Sequence, residues 1–433
     1  MYLLGVDYMT RRIIEWTKTN RTKILLYIIT VAVSAVLLVV GNKIAYDKET
    51  MFLGGYDDGA CSAKVTGIVS EKTEQVTIAG ENIGENVTVV FECKVTEGEL
   101  KGQTVTAYES IMVHDTVPLD KVKVGDKVLI TATVEEEYDW YLFDYDRTLP
   151  LWVLGVAFIA LLLLFGRKKG VNTIISLAFT CAAVFLVFVP SVLSGGNIYL
   201  WSIITCIYII AMTLTITEGY NKKTLAAMIG CASGVVAAGI LTVISAYFLN
   251  LTGITSEETI YIKMDFDIDL NALIFAGIIL GAVGAVMDVS VSISSSLKEI
   301  HDQVDSPTFG GLVKSGITIG RDIMGTMANT LVLAYIGCEL SATLLQAVYS
   351  SSLTTLFSRE KIVTELLQAL VGSIGILLTI PLTAVVSAAL YTGFKWKKTD
   401  KKHKATLSQK HDKYYVEPPE EPSLYERKNS SDK

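Results

Sequence analysis

Eight long apolar blocks constrain the fold of this chain more than any other feature. Each is long enough to cross a hydrocarbon core of about 30 Å, which takes about 20 helical residues. The chain is also 51% hydrophobic and only 19% charged, which is unlike a soluble protein. The sequence therefore predicts an α-helical integral membrane protein with about eight transmembrane helices. The blocks lie at 24–41, 149–166, 172–193, 198–217, 225–249, 270–293, 323–348 and 366–393.

Lysines and arginines beside the blocks predict the orientation. They form clusters that precede the first block and follow the second, fourth, sixth and eighth, so all the clusters lie on one side if every block spans. Lys263, and Arg359 with Lys361, are the weak exceptions on the other side. The positive-inside rule places the side with the clusters in the cytoplasm, together with the N and C termini. No A-x-A-like site follows the first block, so we expect an uncleaved anchor and not a signal peptide. The clusters are Arg11, Arg12, Lys18, Arg21 and Lys23; Arg167, Lys168 and Lys169; Lys222 and Lys223; Lys298 and Lys314; and Lys395, Lys397, Lys398, Lys401 and Lys402.

The segment between the first two blocks has a different pattern. Residues 42–148 contain five runs rich in β-branched residues that alternate apolar with polar and are separated by Gly, Asn or Asp. This pattern predicts a small extracytoplasmic all-β domain, either an OB-like barrel or a sandwich. Its acidic stretch EEEYDWYLFDYD at 135–146 either solvates the domain or attracts cations or cationic ligands. Cys61 and Cys93 would face an oxidising compartment, and a disulfide between them stays open.

These patterns divide the chain into four parts. Residues 1–41 form the cytoplasmic N-terminus and first helix, 42–148 the β domain, 149–394 a seven-helix membrane domain, and 395–433 a tail. The tail begins KWKKTDKKHK and becomes polar and proline-containing, so we expect a disordered cytoplasmic segment whose basic start contacts anionic lipid.

The sixth block carries a stripe of small and then polar residues. Steps of three and four residues place them on one helix face. Its glycines are typical of close helix packing. Asp288 is unusual because a charge at membrane depth costs about 2.5 to 3.5 kcal/mol, so it must be paired, protonated or in contact with water, or else extend to the inner interface. The stripe consists of Gly277, Gly281, Gly284, Asp288, Ser292 and Ser295.

The seventh and eighth blocks carry similar stripes. Asp322, Gly325 or Thr326, and Asn329 share a face of the seventh, and Arg321 beside them is a natural partner for Asp288. Asp322 is equally explained as a charge that compensates the dipole at a helix N-terminus. The stripe of the eighth block predicts a shared polar interior with the other two, and Pro381 predicts a kink. It contains Glu365, Gln368, Gly372, Gly375, Thr379 and Thr383.

Several chemistries find no support in the sequence. The four histidines all fall outside the apolar blocks, so no intramembrane histidine is available to activate Ser233 in the sequence CASG. We find no H-E-x-x-H motif, C-x-x-C pair, EF-hand loop or phosphate-binding loop, and no nucleic-acid module. We therefore expect that the protein is not an enzyme and that it binds no metal or cofactor. We expect the lipid bilayer to be its main partner.

Three segments resemble the YibE/F family of bacterial multi-pass membrane proteins. They are GAVMDVSVSISSSLKEI, IGRDIMGTMANTLVLAYIG and LVGSIGILLTIPLTAVV, and the resemblance covers about 149–393. The domain at 42–148 also resembles the N-terminal part of longer members. The resemblance implies a helical fold in a bacterial cytoplasmic membrane and says little about biochemistry. The positions it marks are Asp288, Arg321, Asp322, Asn329 and Pro381.

Two functions remain as expectations. The first is a permease for a small solute or ion, in which Asp288 accepts a proton or cation and Arg321 is its counter-charge or contacts an anion. Asp322, Asn329 and Gln368 would be polar ligands along the same path, with Ser292 and Ser295. The second is a membrane scaffold or sensor that does not transport, whose domain at 42–148 binds an envelope protein.

Overall fold

A computed structural model describes residues 25–45, 60–78, 81–98, 100–113, 121–132 and 140–393 of the chain. The predicted cytoplasmic tail at 395–433 and the first part of the acidic stretch at 135–146 lie outside the described residues. The chain divides into two compact units. One is Met1–Thr217 with Met264–Ile268, and the other is Glu218–Lys263 with Asp269–Lys433.

Five strands of the first unit form a closed barrel in the order β1-β2-β3-β5-β4, with β3 and β5 parallel. Alternate residues of β2, such as Val87, Val89 and Phe91, are buried and fill the interior, because side chains of a strand point to opposite faces in turn. The prediction of an all-β domain is confirmed, in its barrel form. The strands are β1 (Cys61–Ile78), β2 (Glu81–Val95), β3 (Thr104–Val113), β4 (Lys127–Ala132) and β5 (Trp140–Tyr145).

The two cysteines of the barrel are not joined to each other by a disulfide. Cys93 is fully buried and lies opposite Val65 in the β1–β2 pair, whereas Cys61 is partly exposed near the start of β1. The disulfide left open by the sequence is therefore not formed in this structure.

The rest of the described chain is mostly helical, which confirms the predicted helical class. Among the described residues, six helical stretches are long and apolar enough to cross a membrane, or seven if the bent pair α8 and α9 is one span. The helices are α1 (Leu25–Ala45), α2 (Thr148–Ala183), α3 (Val189–Leu193), α4 (Ile198–Glu218), α5 (Lys222–Phe248), α6 (Glu257–Phe266), α7 (Leu270–Gln303), α8 (Phe309–Cys338), α9 (Leu340–Val348), α10 (Leu353–Phe357) and α11 (Glu360–Thr392).

The difference between eight predicted spans and six or seven candidate helices arises mainly at α2. A π-helical turn, Val184–Phe188, joins α2 to α3, so the helical stretch Thr148–Leu193 has 46 residues. A straight helix of that length would measure about 69 Å, more than twice the hydrocarbon thickness. Arg167 has non-helical dihedrals, φ 48° and ψ −123°, and it lies where the sequence predicts the loop between blocks two and three. The count of eight stays a prediction.

Helix α8 begins fourteen residues before the predicted seventh block. Thr308 caps its N-terminus by accepting a hydrogen bond from the Gly311 N–H at 3.2 Å. Helix α8 therefore includes the charged sequence GRD at 320–322, which lies outside the seventh apolar block predicted from hydropathy. Glu339, with φ −108° and ψ 20°, interrupts the predicted block, and α9 leaves at 68° to α8. The short helices α6, α9 and α10 lie in segments for which no separate helix is predicted.

Helix α11 organises the second unit, because α5, α7 and α8 all pack against it. Gly230 and Gly234 of α5 lie against Thr383 and Thr379 respectively, so α5 and α11 are antiparallel. Gly316 and Gly320 of α8 lie against Ala384 and Ile380, so α8 is antiparallel to α11 as well.

Helix α7 is parallel to α11. Gly281 approaches Gln368, and Ser290 accepts a hydrogen bond from Thr383 farther along both helices. The four long helices thus alternate in direction along the chain. Lys222 and Lys223, Lys298, and Lys314 consequently lie towards one end of the unit, as successive spans would require.

Candidate functional site

The predicted stripe of α7 lies mostly on the exposed side of that helix. Gly277, Gly281, Gly284, Asp288 and Ser292 are exposed, and Ser295 is half-buried. The opposite side is the one that packs, with Ala282, Val286, Ser290, Ile293 and Leu297 all buried at steps of three and four. The periodicity identifies one face correctly, but it does not say which face is turned to the neighbouring helices.

The glycines of the predicted stripes differ in their surroundings. A Cβ atom added at Gly277, Gly284 or Gly325 would meet nothing within 4 Å. One at Gly372 would lie 2.8 Å from Leu331, and one at Gly375 would lie 3.2 Å from Ala238. Close helix approach is therefore found at Gly372 and Gly375 of α11, whereas the first three glycines border open space.

Gly281 is the one glycine of the α7 stripe with a close neighbour. A Cβ there would overlap the Tyr335 hydroxyl of α8 and lie 3.6 Å from the Gln368 Nε2 atom of α11. The Tyr335 Oη atom is buried and lies beside the Gln368 side chain. Of the predicted polar residues, Gln368 is thus the one that meets the α7 stripe.

Asp288 has no charged partner in the described part of the chain. It forms no ion pair within 4.0 Å and no hydrogen bond, and Arg321 likewise forms no ion pair there. The pair expected between them is absent in this conformation. Both side chains are exposed in the structure.

Helix packing gives the depth of Asp288. Gly230, which contacts Thr383, lies eight residues from Lys222, about 12 Å along α5. Ser290 is hydrogen-bonded to the same threonine, and Asp288 lies about 3 Å farther from the lysine end. A carboxylate about 15 Å from the lysine level is near the middle of a bilayer about 30 Å thick. If these helices span with the lysines at one interface, as the sequence predicts, this depth disfavours the interpretation that Asp288 merely extends to the inner interface.

The polar residues of α8 are exposed as well. Asp322, Thr326 and Asn329 lie away from Gly316 and Gly320, the residues that pack on α11. The dipole explanation for Asp322 is wrong, because α8 begins at Phe309, more than three turns earlier. The structure does not bring Asp322 and Asn329 together with Asp288 and Gln368 into one interior. Pro381 is also exposed, within the continuous helix α11.

The buried polar cluster of this unit consists of hydroxyl groups. Ser290 and Ser294 of α7 and Thr379, Thr383 and Ser387 of α11 are all fully buried. Thr383 donates to the Ser290 Oγ atom at 3.3 Å, and Thr379 donates to the Gly375 carbonyl at 2.7 Å. Thr383 and Thr379 also pack tightly against the glycines of α5. The cluster is therefore a contact that holds helices α5, α7 and α11 together.

Sequence reasoning missed three members of that cluster, Ser290, Ser294 and Ser387. It assigned Ser292 and Ser295 to the site because they share a face with Asp288, and it passed over Ser290 and Ser294. The sequence signal that could have found these two serines is a repeat of small or polar residues every four positions, at Ala282, Val286, Ser290 and Ser294. In the described part of the chain, no three His, Cys, Asp or Glu side chains are grouped to hold a metal ion.

These observations define a class of protein: a membrane protein of several apolar helices with a small β-barrel that lies between α1 and α2 in sequence. The YibE/F-like protein family matches residues 154–393, more than half of the chain, and the chain belongs to that family. Searches of curated proteins and of solved structures found no match.

Proposed function

We propose that this protein is a multi-pass permease that moves a small solute or ion, with Asp288 as its proton or cation acceptor. The observation that carries the proposal is the position of Asp288, which is exposed, unpaired and near mid-depth of the helical unit. An ionisable group is too costly to keep at that depth facing lipid, so it marks a hydrated or protein-lined path.

The surroundings of Asp288 support a path along α7. Gly277 and Gly284 leave the space beside their backbone free, and Gly281 lies under the Tyr335 hydroxyl, about ten ångströms from Asp288 by helical rise. Tyr335 and Gln368 would then border the path at the end away from the lysines. Ser292 and Ser295 continue the same face towards the lysine end. Arg321 contributes a positive charge whose depth agrees with that of Asp288 to within about two helical turns.

The proposed topology has eight spans in a bacterial cytoplasmic membrane, with both termini in the cytoplasm. It divides Thr148–Leu193 at Arg167 and treats α8 with α9 as one broken span. The alternating directions of α5, α7, α8 and α11, with lysines at one end, support this arrangement.

Flux measurements in proteoliposomes test the site. Proton flux is followed with entrapped pyranine under an imposed potassium diffusion potential, and Na⁺, K⁺ and Mg²⁺ uptake with entrapped indicators. We expect Asp288→Asn to reduce the wild-type flux at least tenfold and Arg321→Ala to reduce it less, because the acceptor carboxylate is lost only in the first. Asp302→Asn, which also removes an exposed α7 carboxylate but lies at the lysine end paired with Lys298, should leave flux unchanged.

Unchanged flux in both Asp288→Asn and Arg321→Ala would remove the site assignment. No flux of any of these ions by the wild type would favour the second candidate, a scaffold or sensor that does not transport. Its supporting observation is that the barrel, OB-like in strand order, has a closed sheet and its own core. Deletion of 45–147 would then have the same effect on cells as loss of the whole gene, whereas cells with Asp288→Asn or Arg321→Ala would behave like the wild type.

A further inference from the structure

One face of α8 has the spacing of a coiled-coil seam. Its residues recur at alternating steps of four and three, which is the heptad pattern of a helix that packs along another helix. All are exposed except Val332, which is partly buried, and they lie opposite the glycines that pack on α11. We call this face the α8 seam; it consists of Thr318, Asp322, Gly325, Asn329, Val332 and Ile336.

The α8 seam is poorly suited to contact lipid. Asp322 and Asn329 have no hydrogen-bond or ion-pair partner in the described part of the chain. Gly320, two residues before Asp322, packs on Ile380, which is one helical turn from Thr383, so the seam runs through the depth of the hydroxyl cluster. A carboxylate and an amide at this depth face protein or water and not hydrocarbon.

The charge on the seam, Asp322, and the charge beside it, Arg321, are complementary between two parallel copies. With Asp322 at a heptad a position, Gly325 takes the d position and Arg321 the preceding g position. In a parallel pair, a side chain at a packs into a hole that includes the partner's preceding g residue. Asp322 of each copy would therefore contact Arg321 of the other, and both pairs form at once about a two-fold axis.

Two further residues favour the same arrangement. Asn329 also occupies an a position, where two asparagines hydrogen-bond across the axis and fix the register. Gly325 at the d position between them has nothing within 4 Å of an added Cβ, which allows the backbones to approach closely.

We propose that a second copy of this chain packs along the α8 seam in the same orientation, with Asp322 of each copy paired with Arg321 of the other. The proposal does not rest on transport; it rests only on α8 crossing the membrane.

Charge exchange tests the interface. The full-length chain, labelled with one fluorophore, is reconstituted in vesicles over a range of protein-to-lipid ratios, and dimers are counted by single-molecule photobleaching. We expect Arg321→Asp and Asp322→Arg to weaken the dimer at least tenfold each, because residue 321 of one copy and residue 322 of the other then carry like charges. The double variant should return to within about threefold of the wild type, and Asp302→Arg should have no effect. A monomeric wild type at every ratio, or single variants that dimerise like the wild type, would overturn the proposal.

Disulfide trapping tests it without altering a charge. Gly325→Cys places a thiol on the seam where a side chain meets nothing, and Thr330→Cys places one on another exposed face of α8 at similar depth. Copper-phenanthroline oxidation in membranes should cross-link the first variant several-fold faster than the second, above the level given by the native cysteines. Equal rates, or no added cross-link at Gly325→Cys, would contradict a second copy at this seam.

Discussion

At the scale of single residues, the structural role of a glycine depends on whether a neighbouring helix packs against it. Gly234 and Gly284 both lie in glycine- and alanine-rich helices, yet one is pressed against Thr379 and the other borders open space. The sequence identifies both as small positions on regular faces. It cannot separate them, because the difference lies in which neighbouring helix covers each face.

A pair of alanine substitutions separates the two roles. In Gly234→Ala, the new Cβ would overlap the Thr379 side chain and lie 3.0 Å from Val286. We expect a loss of about 1 to 3 kcal/mol in the free energy of unfolding, the usual cost of overpacking. Gly284→Ala adds a methyl where nothing is near, and the higher helix propensity of alanine should leave stability unchanged or raise it by up to about 1 kcal/mol. Thermal unfolding in detergent measures both, and equal midpoints would contradict the packing described for α5.

At the scale of elements, the barrel and the boundaries of helices such as α4 were predictable, and the start of α8 was not. Alternation of apolar and polar residues over β1 and β2 is a local signal, and each strand expresses it directly. The start of α8 depends on a cap at Thr308 and on packing of Gly316 and Gly320 against α11, and these outweigh the polar sequence that surrounds them. Hydropathy alone therefore placed the helix fourteen residues too late.

The reactivity of the barrel cysteines tests its closure. Burial raises the pKa of the Cys93 thiol to about 11, so few thiolates form at pH 8 and little reagent reaches them. We expect a maleimide to label the partly exposed Cys61 at least tenfold faster than Cys93, with the difference lost in denaturant. Peptide mass spectrometry gives the two rates. Comparable labelling of both would mean an open barrel, and labelling of Cys61 only after reduction would mean a disulfide.

At the scale of the whole molecule, the basic clusters and the alternating helices make one prediction of orientation. We expect a membrane-impermeant maleimide to label Cys61 on intact cells, because the proposed topology places the barrel outside, after an uncleaved first helix. Asp302→Cys, at the lysine end of α7, should be labelled only after permeabilisation, and green fluorescent protein fused to the C-terminus should fluoresce. Labelling of Cys61 only in lysed cells would reverse the proposed topology.

The sequence by itself determined the class of the protein, because span-length apolar blocks and alternating strands are properties of neighbouring residues. It also selected Asp288 as the residue to explain, since charge at membrane depth is costly wherever the helix sits. Only the tertiary structure decided that the predicted stripe of α7 is exposed and that Ser290, Ser294, Thr379 and Thr383 form the buried polar contact. Helical periodicity gives the angle between two faces, but packing against α5, α8 and α11 decides which face is turned inward.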